Sequence, residues 1–201
     1  MRLVVLLSGS GSNFQTLIDA VAAGELDIDI VAAGADNHAA YGLTRAKTAG
    51  IETFVVDYQT SGSRQAWTTG LTHAVAAYNP DVVLSSGLMR IVGPEFIDHF
   101  DGKFLNTHPA LLPAFPGAHA VKDALAAGVV VTGTTLHLVD TGVDTGPILD
   151  QRAVTIDTDD NETSLHEKIK VAERRMLVDN LAALATGTTP RELIRPYAKP
   201  R

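Results

Sequence analysis

The sequence contains no cysteine among its 201 residues. Disulfide bonds, thiolate nucleophiles and cysteine-based zinc sites are therefore excluded. Aromatic residues make up only 5% of the chain. The longest apolar runs, such as Leu3 to Leu7 and Val82 to Leu84, are too short to span a bilayer. Because the N-terminus also lacks an apolar segment behind a basic one, we expect a cytoplasmic protein.

Basic residues are in the minority. The chain has 16 Lys and Arg against 23 Asp and Glu, which gives a formal net charge of -7. A broad nucleic-acid surface needs clustered Lys and Arg, so we expect no nucleic-acid partner, and any anionic ligand must be held locally. The histidines show no convincing metal-ligand spacing. The nearest approach, His137 with Asp140, favours a structural strand histidine, and we expect no metal.

Small and aliphatic residues dominate what is present, with 45% hydrophobic and 19% charged residues, as is usual for an α/β protein. Apolar runs alternate with helical patterns that end at glycine. They predict strands at 1–7, 28–33, 51–56 and 82–86, and helices at 14–23, 40–49 and around 64–78. Such repeated units imply a doubly wound, mostly parallel sheet with helices on both faces.

The pattern changes after Leu105. Two β-rich segments, 129–139 and 147–156, are joined by a Gly/Asp loop and predict an antiparallel strand pair. Residues 163–185 predict one long amphipathic helix. We predict a single α/β domain over residues 1–189, followed by a basic, poorly ordered C-terminal tail at 190–201.

A Gly/Ser turn, Gly9-Ser10-Gly11-Ser12-Asn13, lies between the first predicted strand and the first predicted helix. Backbone N–H groups and the helix dipole can receive one phosphate there. The turn is not a dinucleotide fingerprint, because Phe14 stands where a third glycine is needed, and no Gly-Lys-Ser/Thr follows as in a P-loop. The alternative is a simple connection with Ser12 or Asn13 as the helix N-cap.

An amide and an imidazole stand two residues apart in Asn106-Thr107-His108-Pro109. In an extended segment both side chains point to the same side. Such a pair suits the stabilisation of an oxyanion and the transfer of protons at an acyl-type carbon, which predicts acyl transfer. The alternative is that Asn106 caps a turn and His108 is an ordinary residue before proline.

Two further segments favour a site at the same edge of the sheet. Asp144 lies in the loop between the two later strands, where a carboxylate near His108 would orient the imidazole and favour its protonated form. Residues 87–92 follow the strand that ends at Ser86, and their apolar run with Arg90 can line a slot for a flat, partly polar ligand. Asp144 is alternatively a turn residue, and 87–92 a core segment with a surface arginine.

Taken together, these motifs resemble those of the folate-dependent phosphoribosylglycinamide formyltransferases of purine synthesis, also called glycinamide ribonucleotide transformylases. The resemblance runs from Leu3 to about Glu173. Its most specific segments are 8–13, 87–91, 106–113 with 115–117, and 140–147. It implies transfer of the formyl group from 10-formyltetrahydrofolate, as co-substrate, to the amine of N1-(5-phosphoribosyl)glycinamide, without a metal.

The resemblance also implies a role for individual residues. Asn106, His108 and Asp144, here called the catalytic trio, are expected to carry the chemistry. The expected ribonucleotide contacts are Gly11, Ser12, Asn13, Lys170 and Glu173. The expected folate contacts are Arg64, Met89, Arg90, Ile91, Val92, Asn106, Asp140 and Asp144. Two departures from the family pattern are Val121, where many relatives carry histidine, and Arg174–Val178, which replaces a histidine, aromatic and proline pattern.

Other functions remain open at this point. Formyltetrahydrofolate hydrolase and methionyl-tRNA formyltransferase share the catalytic trio, but each usually carries an additional domain that we do not expect in this chain. The acidic balance also disfavours tRNA. A non-catalytic phosphate- or nucleotide-binding module is a third alternative, against which the presence of the whole trio speaks. The sequence leaves the oligomeric state open, a homodimer included.

Overall fold

The computed structural model describes residues 1–194. These residues fall into two compact units, Met1–Leu105 and a second one that begins at Asn106. The first unit contains strands β1 (Arg2–Leu7), β2 (Asp29–Ala35), β3 (Thr53–Val55) and β4 (Val82–Ser85), and helices α1 (Ser12–Ala22), α2 (Tyr41–Thr48), α3 (Arg64–Ala76) and α4 (Pro94–His99). Strand β5 (Phe104–His108) begins in the first unit and ends in the second.

Three strand pairs of the first unit are parallel. Strand β1 pairs with β2 and with β4, and β2 pairs with β3. Leu3 to Leu7 of β1 are completely buried. A central parallel strand is covered on both faces, which explains why its sequence is a continuous apolar run instead of an alternating one.

The second unit contains α5 (Ala120–Ala126), β6 (Val131–Leu138), β7 (Ile148–Thr155), α6 (Glu162–Ala185) and α7 (Pro190–Leu193). Strands β6 and β7 are antiparallel, as predicted. Helix α6 begins with a capping box, in which the Asn161 side chain accepts from the N–H groups of Thr163 and Ser164. Across residues 1–194, no helix combines the length and the apolar character needed to cross a membrane.

The predicted fold class is confirmed. Seven strands are hydrogen-bonded in the order β3-β2-β1-β4-β5-β6-β7, which makes a mostly parallel sheet with an antiparallel pair. The sequence did not predict α4 and α5, because helices of six and seven residues carry too few turns for a periodic signal.

The C-terminal segment differs from its prediction where the structure describes it. Pro190–Leu193 form a helical turn instead of a poorly ordered tail, because Thr189 and Glu192 make a capping box around it. Residues 195–201 lie outside the described residues. The single domain over 1–189 stays a prediction.

Candidate active site

Strand β5 ends with the segment Asn106-Thr107-His108, and its alternation separates the three side chains. Asn106 contacts His137 and His108 contacts Asp144, and His137 Nε2 lies 3.7 Å from Asp144 Oδ1. The hydroxyl of Thr107 donates instead to Glu173 of α6. His108 is only 4% exposed. The predicted geometry, with the amide and the imidazole on one side of an extended segment, is therefore present.

The His108 ring is held between two acceptors. Its Nε2 lies 2.7 Å from the main-chain oxygen of Phe115. A carbonyl oxygen only accepts, so Nε2 carries a proton. Its Nδ1 lies 3.3 Å from Asp144 Oδ2. An oxygen that can accept a hydrogen bond therefore lies beside each ring nitrogen of His108.

A turn over residues 115–117 supplies main-chain groups to both members of this pair. The Phe115 carbonyl accepts from His108, and the Gly117 N–H donates to Asp144 Oδ2 at 2.8 Å. Phe115 and Asp144 both adopt positive φ angles, 53° and 55°. Residues other than glycine rarely adopt this conformation, and it is concentrated at functional sites. The Phe-Pro-Gly segment thus orients the imidazole and the carboxylate.

His137 is the residue that contacts the Asn106 amide. Its Nδ1 donates to the main-chain oxygen of Leu138 at 2.8 Å, so the Nε2 of the neutral ring accepts from Asn106 Nδ2 at 3.2 Å. Burial lowers the pKa of His137 below its ordinary value, and outweighs the opposite effects of the Leu138 carbonyl and the Asp144 charge. A neutral His137 fixes which way the Asn106 amide faces.

The loop that carries Asp144 is closed by Asp140. Oδ1 of Asp140 accepts from the Gly142 N–H at 3.0 Å and from the Thr145 hydroxyl at 2.7 Å. In the part of the chain that the structure describes, no group of three or more His, Asp or Glu side chains is placed to hold a metal ion. His137 contacts the Asn106 amide, and Asp140 closes the loop that carries Asp144.

The expected ribonucleotide contacts of the second unit lie on α6. Glu173 is buried and accepts from Thr107. Lys170 forms an ion pair with Glu167 of the same helix, at 2.7 Å between Nζ and Oε1. The structure thus brings Glu173 to β5 but turns the Lys170 ammonium along its own helix.

The expected phosphate loop lies at the N-terminus of α1. Gly11 is the N-cap of that helix, with a φ of 64°, and Ser12 is its first residue. Within residues 1–194 no side chain caps this terminus, so the alternative with Ser12 or Asn13 as N-cap is wrong. A Cβ on residue 11 would lie 2.8 Å from Gly42 Cα, which is why only glycine fits there. The positive end of the α1 dipole lies at this turn.

Residues 87–92, the expected folate loop, are fastened within the first unit at several points. The Met89 N–H donates to the Ser8 hydroxyl at 2.8 Å. Arg64 donates from Nε to the Ile91 carbonyl at 3.0 Å and from Nη2 to the Val92 carbonyl at 2.7 Å. Met89 and Ile91 remain 76% and 58% exposed. A fixed loop that shows apolar side chains to solvent is typical of a ligand-binding surface.

Arg90 makes an ion pair with a residue that the sequence did not single out. Its Nε donates to Asp36 Oδ2 at 2.7 Å. Its guanidinium lies over the ring of Tyr58, 4.3 Å from the ring centre. Burial raises the pKa of Asp36, but hydrogen bonds from Arg90, Ser8 and Asn37 outweigh it, and the pKa lies below its ordinary value.

Residues 1–181 match the family model described as formyl transferase. The chain belongs to the formyl transferase family. The phosphoribosylglycinamide formyltransferase of Mycobacterium tuberculosis is 54% identical over 185 residues, which cover 92% of this chain and 85% of that protein. The protein of the same name from Escherichia coli is 38% identical over 173 residues, 86% of this chain and 82% of the relative.

A solved structure agrees with the sequence comparisons. The crystal structure of glycinamide ribonucleotide transformylase 1 from Symbiobacterium toebii matches with a TM-score of 0.90 and 38% identity, covering 93% of this chain and 88% of that one. The family predicted from the motifs is therefore confirmed for this formyl transferase.

Sequence reasoning missed four residues of this formyl transferase. Asp36 and Tyr58 hold Arg90 in the first unit, and Thr107 and His137 contact Glu173 and Asn106 in the second. Asp36 directly follows β2, but an aspartate after a strand is also an ordinary turn residue. The spacing of His137 and Asp140 favours a structural histidine and carries no sign of an amide partner such as Asn106. A polar residue in an otherwise buried strand is the signal that indicates it, since buried polar groups need partners.

The two departures from the family pattern are part of the packing of this formyl transferase. Val121 is buried in an apolar cluster with Leu165 and Ile169. In the segment 174–178, the side chains of Met176, Leu177 and Val178 are buried on α6. Both substitutions place aliphatic groups in the core of the second unit.

Proposed function

We propose that this formyl transferase moves the formyl group of 10-formyltetrahydrofolate to the amine of N1-(5-phosphoribosyl)glycinamide. The products are the formylglycinamide ribonucleotide and tetrahydrofolate, in the synthesis of purines. The observation that carries the proposal is the arrangement of Asn106 and Asp144 beside the buried His108 imidazole. His137 orients Asn106, and the 115–117 turn orients His108 and Asp144. The names of the similar proteins support the same reaction.

In the proposed reaction the amine nitrogen attacks the formyl carbon, and negative charge develops on the formyl oxygen. Asn106 Nδ2, with one N–H directed to His137, offers its second N–H to that oxygen. His108 Nε2 is hydrogen-bonded to the Phe115 carbonyl. Nδ1, beside Asp144, is therefore the ring nitrogen that would donate to the formyl oxygen. A donor of this kind typically contributes on the order of 3 kcal/mol to lowering the barrier.

Collapse of the tetrahedral intermediate breaks the bond between the formyl carbon and the folate nitrogen. The proton lost by the attacking amine is finally carried by that nitrogen. Asp144, 3.3 Å from His108, orients the imidazole and assists this transfer through water. No covalent bond to the protein is formed at any step.

Substrate binding is proposed for the same residues as the resemblance implies. The turn at Gly11, Ser12 and Asn13 would hold the phosphate at the α1 terminus, and Glu173 would accept from the ribose hydroxyls. The residues proposed for the folate are Arg64, Met89, Arg90, Ile91, Val92, Asn106, Asp140 and Asp144. Because Arg64 donates to the carbonyls of the loop, its proposed part is to support that loop. Lys170 is proposed as a minor contact, since it pairs with Glu167.

The remaining expectations concern the location of the protein in the cell and its partners. We propose a cytoplasmic enzyme that acts on small molecules, without a metal and without a nucleic-acid partner. A homodimer stays an open prediction.

The experiment that tests the function follows tetrahydrofolate release by absorbance, with the glycinamide ribonucleotide present and then omitted. We expect release only with the acceptor, and a fall of at least 100-fold in kcat for His108→Ala and Asp144→Asn. His73→Ala is the matched control, because His73 is exposed on α3. Release without the acceptor would identify a hydrolase. No release under either condition would contradict the proposal and favour a binding module.

A further inference from the structure

The Arg90 side chain is held in place before any ligand arrives. One of its five N–H donors, on Nε, is directed to Asp36 at 2.7 Å, and its flat face lies 4.3 Å from the centre of the Tyr58 ring. Within the described residues its two Nη groups donate no hydrogen bond, and 35% of its side-chain surface is exposed. The N–H groups on both Nη atoms therefore have a fixed position and are available to a ligand.

The Asp36 carboxylate accepts a hydrogen bond on each of its two oxygens. It is only 2% exposed. One oxygen accepts from Arg90, and the other accepts from Asn37 Nδ2 at 2.9 Å. The Ser8 hydroxyl helps to lower the pKa of Asp36, and it accepts from the Met89 N–H at 2.8 Å. Asp36 thus fixes the Arg90 side chain, and Ser8 fixes the main chain of the neighbouring Met89.

Tyr58 connects Arg90 to the core of the first unit. Its main-chain N–H donates to the Asp36 carbonyl at 3.0 Å, so the two supports are tied to each other. Its ring also meets Trp67 edge-on, at 5.2 Å between ring centres. Trp67 is completely buried on α3 and donates to the Val56 carbonyl at 2.8 Å. The ring beneath Arg90 is therefore a rigid platform.

We infer that Asp36 and Tyr58, here called the Arg90 socket, are positioning residues that set the folate affinity of the 87–92 loop. The inference rests on the proposed function. An unsupported arginine loses much rotamer freedom when it binds an anion, and a preorganised one loses little. Neither socket residue belongs to the catalytic trio. Their effect falls on folate binding and leaves the rate of the chemical step unchanged.

The kinetic test compares KM values for the two substrates. For Asp36→Asn, which keeps the size but removes the charge, we expect the folate KM to rise about tenfold. The kcat and the KM of the ribonucleotide should stay within about twofold. Tyr58→Leu should raise the folate KM about threefold and Tyr58→Phe should not, because the phenyl ring preserves the platform. Asp29→Asn is the matched control, an exposed aspartate at the other end of the same strand.

A double-mutant cycle separates positioning from a general structural role. In an Arg90→Ala background, Asp36→Asn should add no further increase in the folate KM, because the group that it positions is absent. Full additivity would overturn the inference. So would a loss of kcat, or an equal rise of both KM values, in Asp36→Asn alone.

A binding measurement tests the Arg90 socket independently of whether the protein transfers a formyl group. Trp67 is the only tryptophan of the chain, and it lies one ring away from Arg90. Titration of its fluorescence with 10-formyltetrahydrofolate alone needs no acceptor and no turnover. Tenfold weaker binding by Asp36→Asn than by the wild type supports the socket even if no formyl transfer is found. Equal affinities overturn it, whatever the activity.

Discussion

At the scale of single residues, the neutral His137 has the clearest consequence for catalysis. We predict that His137→Phe, which keeps a ring of similar size but no acceptor for Asn106, lowers kcat about 10- to 100-fold. The reason is that a misdirected oxyanion donor loses most of its effect. Steady-state kinetics with both substrates should show KM values changed by less than about threefold.

His73→Phe controls for the loss of a histidine elsewhere, on the exposed side of α3. An unchanged kcat in His137→Phe would show that the Asn106 amide keeps its orientation without this partner. The 3.2 Å contact between the two side chains would then have no part in catalysis.

At the scale of secondary structure elements, the entry to α1 depends on two glycines in contact. We predict that Gly11→Ala lowers the free energy of unfolding by about 3 kcal/mol, because the positive φ is strained for alanine and the new Cβ meets Gly42. Gly24→Ala has a similar φ of 72° and nothing within 4 Å of its Cβ, so it should cost only about 1 kcal/mol. Urea unfolding measures both variants. Equal losses would mean that the contact with Gly42 relaxes at no cost.

At the scale of the whole molecule, the charge of Asp36 makes the free energy of unfolding depend on pH. Its folded-state pKa is lowered, so its stabilisation is present above the unfolded value of about 3.9 and is lost as the pH falls through the folded value. We predict that Asp36→Asn is less stable than the wild type by about 2 kcal/mol at pH 7, and that this gap narrows below about pH 4.

Urea unfolding of both proteins as a function of pH measures that gap. Asp29→Asn, at an exposed position, should follow the wild-type curve throughout. A gap between wild type and Asp36→Asn that stays constant down to the lowest pH would refute the role given to the Asp36 charge.

Much of the fold could be predicted because its signals are local. Leu3 to Leu7 form a continuous apolar run, and the alternation in β5 places Asn106 and His108 on the same side within a single strand. The contacts that complete the site join residues far apart in sequence. Asn106 and His137 are 31 positions apart, and Asp36 and Arg90 are 54 apart. No periodicity links such pairs, so the sequence alone does not identify the partner of a predicted site residue.

The 115–117 turn holds His108 and Asp144 by a carbonyl and an N–H of the main chain. Alanine at 115 or 117 deletes neither group, so an alanine scan of this turn reports on backbone conformation and not on those two bonds. Exchange of the amide N–H of Gly117 for an ester oxygen would remove one donor while every side chain stays the same. The orientation of His108 and Asp144 thus depends on the conformation of the main chain at 115–117, which sequence comparison alone does not report.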